Sequence, residues 1–127
     1  CHSMPSRLNI EKDDARKINE CDIILGDLNG SSCCQNLIEN VESIFKFHDF
    51  FVTKNHMFSG GYITKKYGNP NNGIHVIQIE INKKLYMDED TIKKNKNFFN
   101  LRRKLTSVIR ELSHLSPDNQ NKSIAAE

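Results

Sequence analysis

Between Gly73 and Asn82 the chain reads GIHVIQIEIN, with branched apolar residues on both alternating sets of positions. Side chains alternate along a strand, so Ile74, Val76, Gln78, Glu80 and Asn82 share one face. His75, Ile77, Ile79 and Ile81 share the other. The pattern predicts a strand over 74–82, buried on both sides, around which the rest of the chain is organised. Upstream, Cys21 to Leu25 predicts a short strand that ends in the turn residues Gly26 to Gly30. Ser32, with Gln35 three places on, reads as a capping box that opens a helix over 33–47. Cys34, Leu37, Ile38, Val41, Ile44 and Phe45 recur along it at helical spacing as one buried stripe. His48 to Asn55 predicts a second strand, which makes a βαβ unit with a parallel strand pair.

Tyr62-Ile63-Thr64 predicts a further short strand. Tyr67 to Gly73 is a glycine-, proline- and asparagine-rich loop suited to the rim of a site. Leu85 to Glu89 predicts a turn. A helix over 97–115 carries Phe98, Leu101, Leu105, Val108, Leu112 and Leu115 at alternating three and four spacing. Residues 6–20 are polar without a clear period and read as a surface loop or a short frayed helix. Residues 1–115 are expected to form one domain portion, and 116–127 a disordered tail.

At 127 residues the chain is at most one domain, and 37% hydrophobic content is adequate for a core. A net charge of +2 gives no argument for a nucleic-acid partner. The basic set Lys93, Lys94, Lys96, Arg102, Arg103 and Lys104 reads as a solvated helix face, because aromatic interleaving is missing. No apolar run reaches the ~18 residues of a membrane span, so no membrane partner is expected. The four cysteines, Cys1, Cys21, Cys33 and Cys34, form no CxxC pair. Free thiols in a reducing cytoplasm are the expectation. The adjacent Cys33-Cys34 reads as buried small residues, with a thiol switch as the alternative.

Chemistry concentrates on Glu80. A carboxylate inside a buried strand is costly unless compensated. Desolvation favours its protonated form, and a nearby metal or cation favours the anion. A group pulled both ways suits general acid–base work. The plainer reading is a strand-end Glu paired with a Lys or a backbone amide.

The flanking words add to this. FSGGYITKKYGNP leads into GIH, then QIEINKKLYMDE. In this order they resemble the N-formylglutamate amidohydrolase family, whose pattern reads GGYIT, YG, P, then GIHA-QIE-N-LYMDE. Cys1-His2-Ser3-Met4-Pro5 is similar to that family's DCHSMP segment, and Ile24-Leu25-Gly26-Asp27 with Gly30 and Ser32 to its LGD–G-S segment. The resemblance covers about residues 1 to 112 and corresponds to the C-terminal half of the family's domain.

The resemblance implies an α/β, phosphorylase/hydrolase-like fold akin to the zinc carboxypeptidases, a three-layer sandwich on a mostly parallel or mixed sheet. It implies a Zn2+ cofactor, a small-molecule N-acyl amino acid substrate, and hydrolysis of N-formyl-L-glutamate to formate and glutamate. By motif position Glu80 is the general base and His2 the third zinc ligand. Asn55, Gly60, Gly61, Tyr62, Lys65 and Gln78 are the implied substrate-side residues. The chain departs from the pattern at His56-Met57, at Lys65-Lys66 where Arg-His is often found, and at Leu28 where a basic residue is common. Lys supplies charge without the bidentate fork of Arg.

The other two zinc ligands, a His and a Glu of the family's earlier half, have no counterpart here: no His has a Glu three places on, and no HExxH occurs. His75 and Glu80 point to opposite faces of a regular strand and are not expected to share a shell. The expectation is therefore an incomplete piece of a hydrolase, inactive by itself and completed by an N-terminal half. A non-catalytic remnant or binding domain that keeps the fold is the competing reading.

Overall fold

The computed structural model describes residues 1–7 and 20–116. Most of the segment expected as a loop over 6–20, and the tail beyond residue 116, lie outside these residues. The strands of the main sheet are β1 (His2–Met4), β2 (Ile23–Gly26), β3 (Val52–Lys54) and β4 (Gln78–Asn82). Their order is β1-β4-β2-β3. β1 runs parallel to β4, β2 parallel to β3, and β2 antiparallel to β4. The fold is α/β on a mixed sheet, and the βαβ unit has its parallel pair. Two short strands, β5 (Met87–Asp88) and β6 (Lys93–Lys94), form a separate antiparallel ribbon.

β2 and β4 lie inside the sheet, and all of Ile23, Ile24, Leu25 and Gly26 are buried. Helices α1 (Gln35–Phe47) and α3 (Phe98–Leu112) close one face. Ile23 and Leu25 meet Ile38, Val41 and Phe45 of α1 and Leu101 and Val108 of α3 in one core. Phe45 and Phe50 pack edge to face there, ring centroids 5.8 Å apart. Glu42 ties α1 to β3, its carboxylate 2.8 Å from Lys54 Nζ and 2.6 Å from Lys46 Nζ. Burial alone pushes the Glu42 carboxyl up, but the hydrogen bonds from Lys46 and Lys54 outweigh it and hold the group below its ordinary range. His48 Nε2 and Glu111 Oε1, 2.6 Å apart, join α1 to α3. The opposite face carries Met4, Cys21 and Ile24 with Phe58 beside them.

Four local expectations are corrected. The strand expected over 74–82 spans only Gln78–Asn82. Gly73 adopts the left-handed conformation at φ 73°, Asn69 bridges Ile74, and the Val76 N–H donates to Ser32 O at 2.8 Å, so residues 73–77 follow a loop path. Within β4 the polar set is the more buried: Glu80 is 4% and Asn82 0% exposed, while Ile79 and Ile81 are partly buried against the helices. Ser32 is not the helix cap: α1 starts after Cys34 without a side-chain cap, and the Ser32 hydroxyl donates to Val76 O at 2.8 Å.

Residues 62–64 begin helix α2 (Tyr62–Tyr67) rather than a strand. Thr64 is buried and returns its hydroxyl to Gly61 O at 2.8 Å, and a Cβ on Gly68 would collide with Ser32. The second strand is cut to Val52–Lys54, because Asp49 turns at φ 57° and Phe50 folds back onto the core. The helices are otherwise close to expectation, with Leu37, Ile44, Leu105, Leu112 and Leu115 completing the two stripes.

Candidate active site

The parallel pairing of β1 and β4 sets His2 opposite Glu80, and the antiparallel pairing of β4 and β2 sets Glu80 opposite Ile24. Paired residues share a face, so Thr53, Ile24, Glu80 and His2 form one row across the sheet. That row lies on the face away from α1 and α3. His2 Nδ1 stands 3.2 Å from Glu80 Oε1. Gln78, two places before Glu80 on the same face, donates its Nε2 to the same oxygen at 2.9 Å. Glu80 is thus a buried carboxylate whose Oε1 is held from two sides, whereas the His2 side chain is 59% exposed. β1 opens with His2 and Glu80 is the middle residue of β4, so the pair does not occupy the carboxyl ends of strands as open α/β sheets favour.

Gly61 sits beside Gln78: a Cβ there would come within 3.1 Å of Gln78 Oε1. Gly60, at φ 136°, lies against Leu28 and Thr64. Tyr62 and Lys65 are exposed on α2, and Lys66 Nζ rests over the Tyr62 ring at 5.3 Å. Gly61, Gln78, Glu80 and His2 therefore form one chain of neighbours. Tyr62 adjoins it through Gly61, and Lys65 joins the same helix through its backbone N–H to Gly61 O.

Asn55 has a different surrounding. Its Nδ2 donates to Asp27 Oδ1 at 2.8 Å, and its Oδ1 accepts from the backbone N–H groups of Asp27 at 3.1 Å and Asn29 at 3.3 Å. This clasp fixes the turn after β2, where Leu28 and Asn29 both sit at φ 54° and Asn55 at φ 56°. Left-handed backbone at non-glycine residues costs of the order of 1–2 kcal/mol and needs such support. Asp27 shapes this turn, and Leu28 N–H reaches Ser59 O at 2.6 Å, joining it to the GGYIT loop.

A second group of donors was hidden in the sequence. Cys33, Cys34 and His75 place one thiol, one thiol and one ring nitrogen all within 4.8 Å of one another. Burial first, then the neighbouring Cys34 and Asp27, push the Cys33 thiol up to about 12. All four cysteines are free. The adjacent cysteines were a visible signal; the His 41 residues further on was not, because only the loop path of 73–77 turns it towards them.

Among the described residues no helix is long and apolar enough to cross a membrane. Residues 1–87 match the family model described as N-formylglutamate amidohydrolase. That match stops short of the 112 residues expected from the motifs. Two curated relatives, both named N-formylglutamate deformylase, are similar. The one from Pseudomonas putida is 36% identical over 69 residues, which is 54% of this chain and 26% of the relative. The one from Pseudomonas aeruginosa is 35% identical over 69 residues, with the same coverage. The crystal structure of N-formylglutamate amidohydrolase from Ralstonia eutropha JMP134 superposes with a TM-score of 0.73 at 28% identity, covering 88% of this chain and 40% of that one. The matched region thus spans about a quarter of the curated relatives and well under half of the structural neighbour.

Proposed function

The chain belongs to the N-formylglutamate amidohydrolase family, and we propose that it carries the general-base portion of a site that hydrolyses the amide C–N bond of N-formyl-L-glutamate or a close N-acyl amino acid. One observation carries this reading: Glu80, buried on an interior strand, keeps its Oε1 between Gln78 Nε2 and His2 Nδ1 on the face away from α1 and α3. A carboxylate so fixed is oriented before substrate arrives. It takes a proton from water as the water oxygen bonds to the formyl carbon. The C–N bond of the tetrahedral intermediate then breaks, and Glu80 returns the proton to the amine, leaving formate and glutamate. Gly61 brings backbone close to Gln78, Gly60 packs against Leu28 and Thr64, and Tyr62 and Lys65 supply a hydroxyl donor and a cation for the substrate carboxylates. Asn55 acts by holding the rim turn rather than by offering a free amide.

The family resemblance implies zinc, which when bound would polarise the formyl oxygen and acidify the water. The donor set does not meet that need by itself. Three protein ligands are usual for such a metal, and among the described residues no third His, Cys, Asp or Glu gathers with His2 and Glu80. We propose instead that His2 is one ligand of a site whose remaining ligands come from the portion of the family fold that this chain does not span, and that the chain alone is inactive. The four free thiols support placement in a reducing cytoplasm. The same shortage of ligands favours the second reading, a domain that keeps the fold without the chemistry.

Complementation separates the two. The chain is joined to the portion of the Pseudomonas putida relative that it does not cover, and formate release from N-formyl-L-glutamate is measured. Turnover that falls ~10²- to 10⁴-fold in Glu80→Gln supports the catalytic reading. A folded, metal-replete fusion without turnover, or one in which Glu80→Gln retains full rate, overturns it.

A further inference from the structure

We propose that Cys33, Cys34 and His75 form a binding site for a soft, thiophilic cation such as Zn2+ or Cd2+, separate from the Glu80 face and independent of the hydrolase reading. The three donor atoms all lie within 4.8 Å of one another. Some point therefore lies within ~2.8 Å of all three atoms, and tetrahedral zinc asks for ~2.3 Å to sulfur and ~2.0–2.1 Å to imidazole nitrogen. Closing on an ion thus needs inward movements of at most roughly one ångström, within the reach of a χ1 adjustment. Two thiols and an imidazole select zinc, cadmium or cuprous ions over magnesium and calcium, which require oxygen ligands.

The local fold prepares the donors. Cys33 and Cys34 immediately precede α1, and Cys34 is its N-cap, with no acidic residue in the first turn. His75 is drawn to this end by the Cys34 N–H, which donates to His75 Nδ1 at 3.2 Å. Backbone hydrogen bonding from Val76 to Ser32 O holds the same two segments together one residue further along. The ring is therefore brought to this end without an ion, and on ligation its lone-pair nitrogen exchanges the Cys34 N–H for the metal. Cys33 is buried, but Cys34 and His75 are half-buried, which leaves an entrance and a fourth coordination position for water or an added ligand. On binding, each thiol gives up its proton to solvent as its sulfur joins the metal, so two protons leave and no redox partner is needed. A bound ion would clamp the start of α1 to the loop that leads into β4, the strand bearing Glu80.

The test is titration of the reduced chain with Cd2+ alone, read by thiolate-to-cadmium charge-transfer absorption and by thermal melting. A band that saturates at one ion per chain, with a rise in melting temperature, is expected. Cys34→Ser and His75→Gln should each weaken binding tenfold or more while circular dichroism remains that of the parent chain. His75 is half-exposed, so its variant is informative even if Cys33→Ser, at a buried position, fails to fold. Cys1→Ser, Cys21→Ser and His2→Gln should leave the band unchanged. Metal held at His2 and Glu80 has no sulfur ligand and gives no such band, so the two sites report separately. Absence of the band in the folded chain, its loss in Cys1→Ser or Cys21→Ser, or unchanged affinity in His75→Gln would overturn the assignment.

Discussion

Replacing Asn55 by Asp keeps the size of the side chain and its tolerance of left-handed backbone. It removes one hydrogen bond and creates one repulsion. In the native chain Asn55 Nδ2 donates to Asp27 Oδ1 at 2.8 Å, a bond to a charged acceptor worth ~1.5–3 kcal/mol. In Asn55→Asp an oxygen replaces that donor, and two carboxylates face each other in a turn where Asp27 is only 2% exposed. At an effective dielectric constant near 20 two charges ~4 Å apart repel by about 4 kcal/mol. The pair escapes by binding one proton, which at pH 7 costs the native state ~1.36 kcal/mol for each pH unit above a free carboxyl near 4, about 4 kcal/mol in all. The variant is thus destabilised by ~2–4 kcal/mol at pH 7. The native state binds the extra proton and the unfolded chain does not, so stability rises as pH falls. Near pH 4–5 the protonated carboxyl of the new side chain donates to Asp27 as the amide did, and most of the loss is recovered. Urea denaturation followed by circular dichroism at pH 5 and pH 7 measures the difference between variant and parent. A loss that is the same at both pH values would refute the clasp.

Phe45→Ala removes a ring that is 2% exposed and packs against Phe50, and should cost ~3–5 kcal/mol in urea midpoint analysis; a loss under ~1 kcal/mol would mean that α1 does not seat on the sheet as described. Cys33 has a thiol raised from 9.0 to about 12, so the native state keeps a proton that the unfolded chain releases. The Cys33 contribution should therefore be level below pH 9 and decline as pH rises from 9 towards 12, and a Cys33→Ala variant should lack that part of the decline. Glu42 is the reverse case: its lowered carboxyl stabilises the fold above its ordinary value of 4.5, and this contribution is lost as pH falls through the native value. Glu42→Gln should cost ~0.5–1 kcal/mol at pH 7 and nothing at pH 2–3, as read by the same denaturation.

Elements whose burial follows from local spacing were legible in the sequence. Ile38, Val41 and Phe45 announce α1, and Leu101 and Val108 announce α3, because one face of each must be covered. Motif order named His2 and Glu80, and the β1–β4 register brings them to 3.2 Å. Other features depend on partners far away in the chain. Ile74 to Ile77 alternate like a strand, yet Ser32 and Asn69 claim their backbone groups. Tyr62-Ile63-Thr64 has strand-like composition, but the bond from Thr64 to Gly61 and the close approach of Gly68 to Ser32 favour a helical turn. His75 could be placed beside Cys33 and Cys34 only once that irregular path was known.

The place of β1 in the sheet also governs the order in which the molecule assembles. β2, α1 and β3 are consecutive, and their parallel pair closes a connection of ordinary length. β4 then adds to β2, whereas among the described strands β1 pairs only with β4, and its register joins residues 78 positions apart. Loop-closure entropy makes such a distant contact late to form and first to open. With three residues and one neighbour, β1 is the strand whose amide hydrogens should exchange soonest. His2 rides on that strand while Glu80 rides on the interior one. The pair is thus half anchored: the carboxylate persists through local openings, and the imidazole arrives last and leaves first.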